Sequence, residues 1–108
     1  NNTMKRNLLG VSNELLRKHG AVSKAVVEAM AIGAIDKMGV NWVIAISGIA
    51  GPLGGSKNKP VGLVHIAVAN KDKCQSSQEN FGEHQGRLQI QKLSVLKGLD
   101  KLRLLLLT

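Results

Sequence analysis

Apolar and polar positions along the chain follow two rhythms, one helical and one extended. From about Lys24 to Met38, Val26, Val27, Met30, Ala34 and Met38 recur at helical spacing behind Ser23 as a cap, with Gly39 as the stop. Ala25, Ala29, Ala31 and Gly33 are small, so this helix can lie close against a sheet. Two continuous apolar runs follow, Val43-Ile44-Ala45-Ile46 and Leu63-Val64-His65-Ile66-Ala67-Val68, the second with one polar interruption. Such runs predict strands buried on both faces. Ahead of the long helix, Leu8-Leu9 anchor a short helix that begins near Lys5 and breaks at Gly10. A second short helix, Asn13 to Lys18, stops at His19-Gly20. The polar stretch from Asn70 to Gly86 reads either as an edge strand around Cys74 to Gln78 or as a mobile segment. A last helix, about Arg87 to Leu106, carries Leu88, Val95, Leu99, Leu102 and Leu106 as its apolar stripe. Gly98 within it costs about 1 kcal/mol relative to alanine. The order helix, strand, strand, helix predicts a three-layer α/β/α sandwich around a mixed sheet. Two or three strands do not complete such a sheet, so a further segment or a partner chain is expected to supply the rest.

Composition narrows the class. A chain of 108 residues is one domain, 1–108, and 44% hydrophobic content with only Trp42 and Phe81 as aromatics points to an aliphatic, layered interior. No apolar run reaches membrane-spanning length, and no signal-peptide pattern is present. A lone cysteine, Cys74, excludes a disulfide within the chain and fits a reducing cytosol, so the expected location is cytoplasmic. The formal net charge is +8, but its basic residues are scattered from Lys5 to Arg103 and no aromatic series is available for stacking bases. The charge therefore predicts a basic surface with a preference for phosphorylated small molecules, not specific nucleic-acid binding.

The candidate chemistry lies in and around the loop between the two strands. It holds Gly48, Gly51, Gly54, Gly55 and Gly62 with Pro52 and Pro60. Glycine lets backbone approach a ligand closely, proline stiffens the loop, and loops of this length are usually functional. It is not a P-loop, since no GK[ST] follows, and no G-x-G-x-x-G exists. His19, His65, His84 and Cys74 are isolated, without metal-ligand spacing. Glu14, Glu28 and Asp36 fall on helix surfaces and make no acid–base pair. Ser47 sits at the carboxyl end of a buried strand, where open α/β sheets place ligands; its plain alternative is a turn residue. Lys5 lies beside Leu8-Leu9, where burial would fit it as a base; a solvated lysine is the alternative. Arg87 opens the last helix, where it could hold an anion or simply a surface ion pair.

Five blocks in order carry a family resemblance: Lys5-x-x-Leu8-Leu9-Gly10-Val11, His19-Gly20-Ala21-Val22-Ser23, Ala29-Met30-Ala31-x-Gly33-Ala34, Ile46-Ser47-Gly48-Ile49-Ala50-Gly51-Pro52-x-Gly54-Gly55 and Lys59-Pro60-Val61-Gly62. The chain resembles, over essentially its whole length, the CinA C-terminal domain family of nicotinamide-nucleotide amidases. That resemblance implies hydrolysis of the carboxamide of nicotinamide mononucleotide to nicotinate mononucleotide and ammonia, with no metal and no cofactor. It implies a serine–lysine type mechanism in which Lys5 assists the nucleophile. Ser47 stands where the family usually has threonine and keeps the hydroxyl. Gly48, Ala50, Gly51, Gly54 and Gly55 would line the substrate site, and Arg87 would contact substrate. The stretch from Phe81 to Arg87 departs from the family's F-x-G-x-R spacing. The family's A-E-S-C-T-G-G segment, with the nucleophilic serine, is expected upstream of Asn1, as is a tyrosine directly before it. The expectation is therefore an amidase domain without its N-terminal segment, inactive alone and self-associating as a homodimer or larger homo-oligomer. The rival expectation is a catalytically incomplete nucleotide-binding or regulatory module.

Overall fold

The computed structural model describes residues 23–48, 62–82 and 84–108, and the two short helices expected before Ser23 lie outside them. Ser23, in extended backbone, accepts a hydrogen bond on Oγ from the Val26 amide at 3.2 Å. This satisfies one of the donors that every helix start leaves open, and helix α1, Lys24–Met38, follows. It ends on Gly39 in the left-handed region, φ 64°. Replacing the cap, Ser23→Ala, is expected to cost about 1 kcal/mol. The measurement is a lower urea midpoint at unchanged slope, followed by circular dichroism.

Three strands come next: β1, Trp42–Gly48; β2, Leu63–Asn70; and β3, Cys74–Asn80. They lie in the order β1-β2-β3, and both pairings are antiparallel. The mixed character expected of the sheet is thus not carried by these three strands. Asn70 closes the β2–β3 hairpin: its Oδ1 accepts from the amides of Asp72 and Lys73 at 2.9 and 2.7 Å. Its own amide donates to the Lys73 carbonyl at 2.9 Å. Asparagine is suited to this because its side chain imitates a backbone turn. The polar stretch therefore holds an edge strand, and it runs from Cys74 to Asn80, past the expected Gln78, because β2 offers it a paired backbone.

Successive side chains of a strand point to opposite faces. Val43, Ala45, Ala67 and Ala69 share a face and pack on Val27 and Ala31 of α1. Ile44, Ile46, Val64, Ile66 and Val68 share the other, with Ile90, Leu102 and Leu105 of helix α2, Arg87–Leu106. One helix on each side of the sheet makes the three-layer α/β/α sandwich. β2 is buried from Leu63 to Ala69 because both its faces are covered.

The contact face of α2 differs from the expected stripe. Leu88, Val95, Leu99 and Leu106 are all at least half exposed, and of that stripe Leu102 alone is buried. The buried residues are Ile90, Ser94, Gly98, Leu102 and Leu105. Close approach decides this. A Cβ on Gly98 would lie 2.8 Å from the Ile44 Cγ2, and Ser94 folds its hydroxyl back on the Ile90 carbonyl at 2.7 Å. Small residues bring the helix down to the sheet, and dense packing there gains more than presenting leucines at a distance. The same preference operates in α1, where Ala31 is buried and Met38 exposed. No helix among the described residues is long and apolar enough to cross a membrane.

Candidate functional site

Strand β1 runs out at Ser47-Gly48, where the glycine-rich loop starts. Strand alternation puts Ser47 on the face covered by α1. The register sets it directly opposite His65, and His65 opposite Gln78. Ser47 and His65 are each only 7% exposed, while Gln78 is exposed, so this polar row opens to solvent at β3. Behind it on the same face come the rows Ala45–Ala67–Ser76 and Val43–Ala69–Cys74, which are mostly apolar. The polar groups of this face are thus gathered at one end of β1.

Helix α1 points its amino end at that row. Its Glu28 carboxylate accepts a hydrogen bond from Ser76 Oγ at 2.7 Å. About two turns further on, Ile35, Asp36 and Lys37 border a groove shared with Asn70 to Cys74, at the opposite end of the sheet. The partial positive charge of the helix start therefore lies on the Ser47–His65 side. Helix α2 also begins at this end. Ile90, Gln91, Ser94 and Val95 line an open cavity of about 230 Å³ with Ile46, Gly48 and Val64. That cavity is on the far face of the sheet from Ser47. A Cβ on Gly48 would come within 2.8 Å of the Val64 Cγ2 and 3.0 Å of the Leu63 carbonyl oxygen. A side chain at Gly48 would require Val64 and the Leu63 carbonyl to give way.

Arg87, the first residue of α2, is exposed at the same end of the sheet as Ser47. It belongs to the α2 layer, so the two are brought to one end and not to one face. Lys5, Ala50, Gly51, Gly54 and Gly55 lie outside the described residues. Cys74 is a poor nucleophile. Burial, and then the nearby Glu28 carboxylate, push its thiol up from its ordinary value and hold it protonated. Reading the sequence set His65 aside, as one polar interruption in an apolar run and as an isolated histidine without metal-ligand spacing. Its signal was present but conditional: it meets Ser47 only once the antiparallel register is known.

The profile of the CinA C-terminal domain matches residues 1–106. A CinA-like protein of Prochlorococcus marinus strain MIT 9313 is 58% identical over 106 residues, which are 98% of this chain and 25% of that protein. A CinA-like protein of Parasynechococcus marenigrum strain WH8102 is 54% identical over 102 residues, 94% of this chain and 24% of that protein. The chain thus spans about a quarter of the length of these curated relatives. Among solved structures, the competence/damage inducible protein CihA of Agrobacterium tumefaciens superposes with a TM-score of 0.93 at 40% identity, over 97% of this chain and 64% of that one. A CinA superfamily protein of Escherichia coli gives 0.89 at 31% identity, over 97% and 60%.

Proposed function

The chain belongs to the CinA C-terminal domain family, and from that premise we propose that it is part of a cytoplasmic amidase that hydrolyses the carboxamide of nicotinamide mononucleotide to nicotinate mononucleotide and ammonia. The observation that carries this reading is the buried Ser47 hydroxyl at the end of β1, directly ahead of Gly48-Ile49-Ala50-Gly51-Pro52. Amide hydrolysis of this kind needs a nucleophile, a base to take its proton, and donors for the oxyanion of the tetrahedral intermediate. Lys5 is the base, Ser47 the supporting hydroxyl, and Gly48, Ala50, Gly51, Gly54 and Gly55 the backbone that lines the substrate. Arg87 faces the substrate's anionic end, as its fixed charge at a helix start favours. The nucleophilic serine belongs to an A-E-S-C-T-G-G segment, which does not occur within residues 1–108.

In the polypeptide carrying that segment, Lys5→Arg is expected to lose most turnover while still binding the nucleotide. Arginine keeps the charge but does not deprotonate near neutral pH, so it cannot serve as a base. Ammonia release and calorimetric binding, measured on the same variant, read the two effects separately; near-normal turnover removes Lys5 from the mechanism. The second reading is a nucleotide-binding module without catalysis. Binding without ammonia release by the longer polypeptide would select it.

A further inference from the structure

We propose that two copies of this chain join edge to edge, β1 against β1, with their α2 helices packed side by side over the joint. This inference does not rest on the amidase reading. Among the described residues, β1 and β3 each pair on one side only, with β2. The two edges differ in character. That of β3 is polar, Cys74-Gln75-Ser76-Ser77-Gln78-Glu79-Asn80, as suits an edge left in water. That of β1, Trp42-Val43-Ile44-Ala45-Ile46-Ser47-Gly48, carries no charge and no proline, the usual devices against pairing with another strand. An apolar stripe of α2 adjoins it. Leu88, Val95, Leu99 and Leu106 are each at least half exposed and lie within about 40° of one another around the helix. Lys97, on the opposite flank, meets Glu79 of β3 at 3.9 Å. On the near flank, Gln91 and Val95 border Ile46 and Gly48. The stripe therefore overhangs the β1 edge. Half-exposed Trp42 belongs by strand alternation to the same face of the sheet.

Both surfaces are self-complementary, and about one centre. The stripe steps by seven, four and seven residues, so it reads the same from either end. Two such helices laid antiparallel set Leu88 against Leu106 of the second copy and Val95 against its Leu99, centred at the level of Lys97. An antiparallel β1 pair centred on Ala45 sets Ile44 against Ile46 of the second copy. The two centres coincide along the strand, because Gly98 lies on Ile44 while Ser94 and Val95 border Ile46. The spacing agrees as well. A Cβ on Gly98 would stand 2.8 Å from Ile44 and 3.6 Å from Ile66, so α2 runs between β1 and β2. Joining the sheets then places the two helices two strand spacings apart, about 10 Å, a distance at which helices pack. A two-fold match of this kind singles out a second copy as the occupant.

Sedimentation velocity and amide hydrogen exchange on this chain test the proposal. Wild type is expected to sediment as a dimer that dissociates on dilution. Added salt should tighten it, because two copies with a formal net charge of +8 each repel. Leu99→Lys, at a half-exposed position, sets an ammonium group against Val95 of the second copy. It is expected to weaken association about a hundredfold or more while keeping the circular dichroism of wild type. Leu104→Lys makes the same charge change at an equally exposed leucine off the stripe, and should associate as wild type does. In the dimer the outward amides of β1 exchange slowly; in Leu99→Lys they exchange quickly, while those bonded to β2 stay protected. A monomer at every concentration overturns the proposal, whether the outward β1 amides exchange freely or are covered by the chain's own residues. Equal weakening by Leu99→Lys and Leu104→Lys overturns it, as does a dimer whose outward β1 amides exchange freely. If the chain with the upstream segment restored is monomeric with β1 protected, that segment is the occupant and the proposal fails.

Discussion

The 108-residue chain is expected to release no measurable ammonia from nicotinamide mononucleotide, and the same chain with the upstream segment restored to exceed it at least about 10³-fold. On the proposed reading Lys5 would offer the base, Ser47 a hydroxyl and the loop backbone donors, while the nucleophile would come from an A-E-S-C-T-G-G segment, which does not occur within residues 1–108. Removing the nucleophile of a hydrolase leaves only the catalysis that comes from binding and oxyanion stabilisation. Ser47 is not a ready substitute. Its side chain projects from a strand into a buried row beside His65, under the start of α1, and strand geometry leaves it little freedom to swing towards a substrate outside. The measurement is ammonia release by the two polypeptides at matched concentration. Comparable rates would mean that the active site lies wholly within residues 1–108, with Ser47 promoted from support to nucleophile.

Elements marked by local chemistry were legible: Ser23 and Gly39 bounded α1 to the residue, and the continuous apolar run of β2 announced a strand covered on both sides. The face of α2 was not legible, because hydrophobicity was counted and closeness was not. Gly98 read as a flaw in a leucine stripe, yet it is the point where Ile44 reaches the helix. The Asn70–Gly86 stretch was ambiguous for a related reason. Cys74–Asn80 has little strand character of its own and is held extended by β2. For the site, Ser47 could be found from its place at a strand end. His65 could not be joined to it from sequence, since the two are eighteen positions apart and meet only through pairing.

Gly62 carries the largest expected stability effect of any single substitution considered. It opens β2 at the end of the Lys59-Pro60-Val61-Gly62 motif with φ 92°, in the region that side chains with a Cβ rarely adopt. A Cβ there would also meet backbone at Gly82: its carbonyl oxygen at 2.6 Å, and its carbonyl carbon and amide nitrogen both at 2.8 Å. The Phe81 amide donates to the Gly62 carbonyl at 2.9 Å, so the two chains are fastened together at the point of contact. Neither can retreat cheaply. Gly82 provides the control, because it has a similar φ of 89° but nothing among the described residues within 4 Å of its Cβ position. Gly82→Ala is expected to cost only the conformational strain, about 1–2 kcal/mol. Gly62→Ala adds the backbone clash and should reach roughly 3–4 kcal/mol, with the Phe81–Gly62 hydrogen bond weakened as β2 and the end of β3 are pushed apart. Urea unfolding of the two variants, at slopes equal to wild type, measures the difference. Equal losses would show that the fourth position of the motif is glycine for its φ alone. A larger loss at Gly62 assigns it to the close crossing that holds the mouth of the loop against the Phe81–Gly82 turn, at the end of the sheet where Ser47 stands.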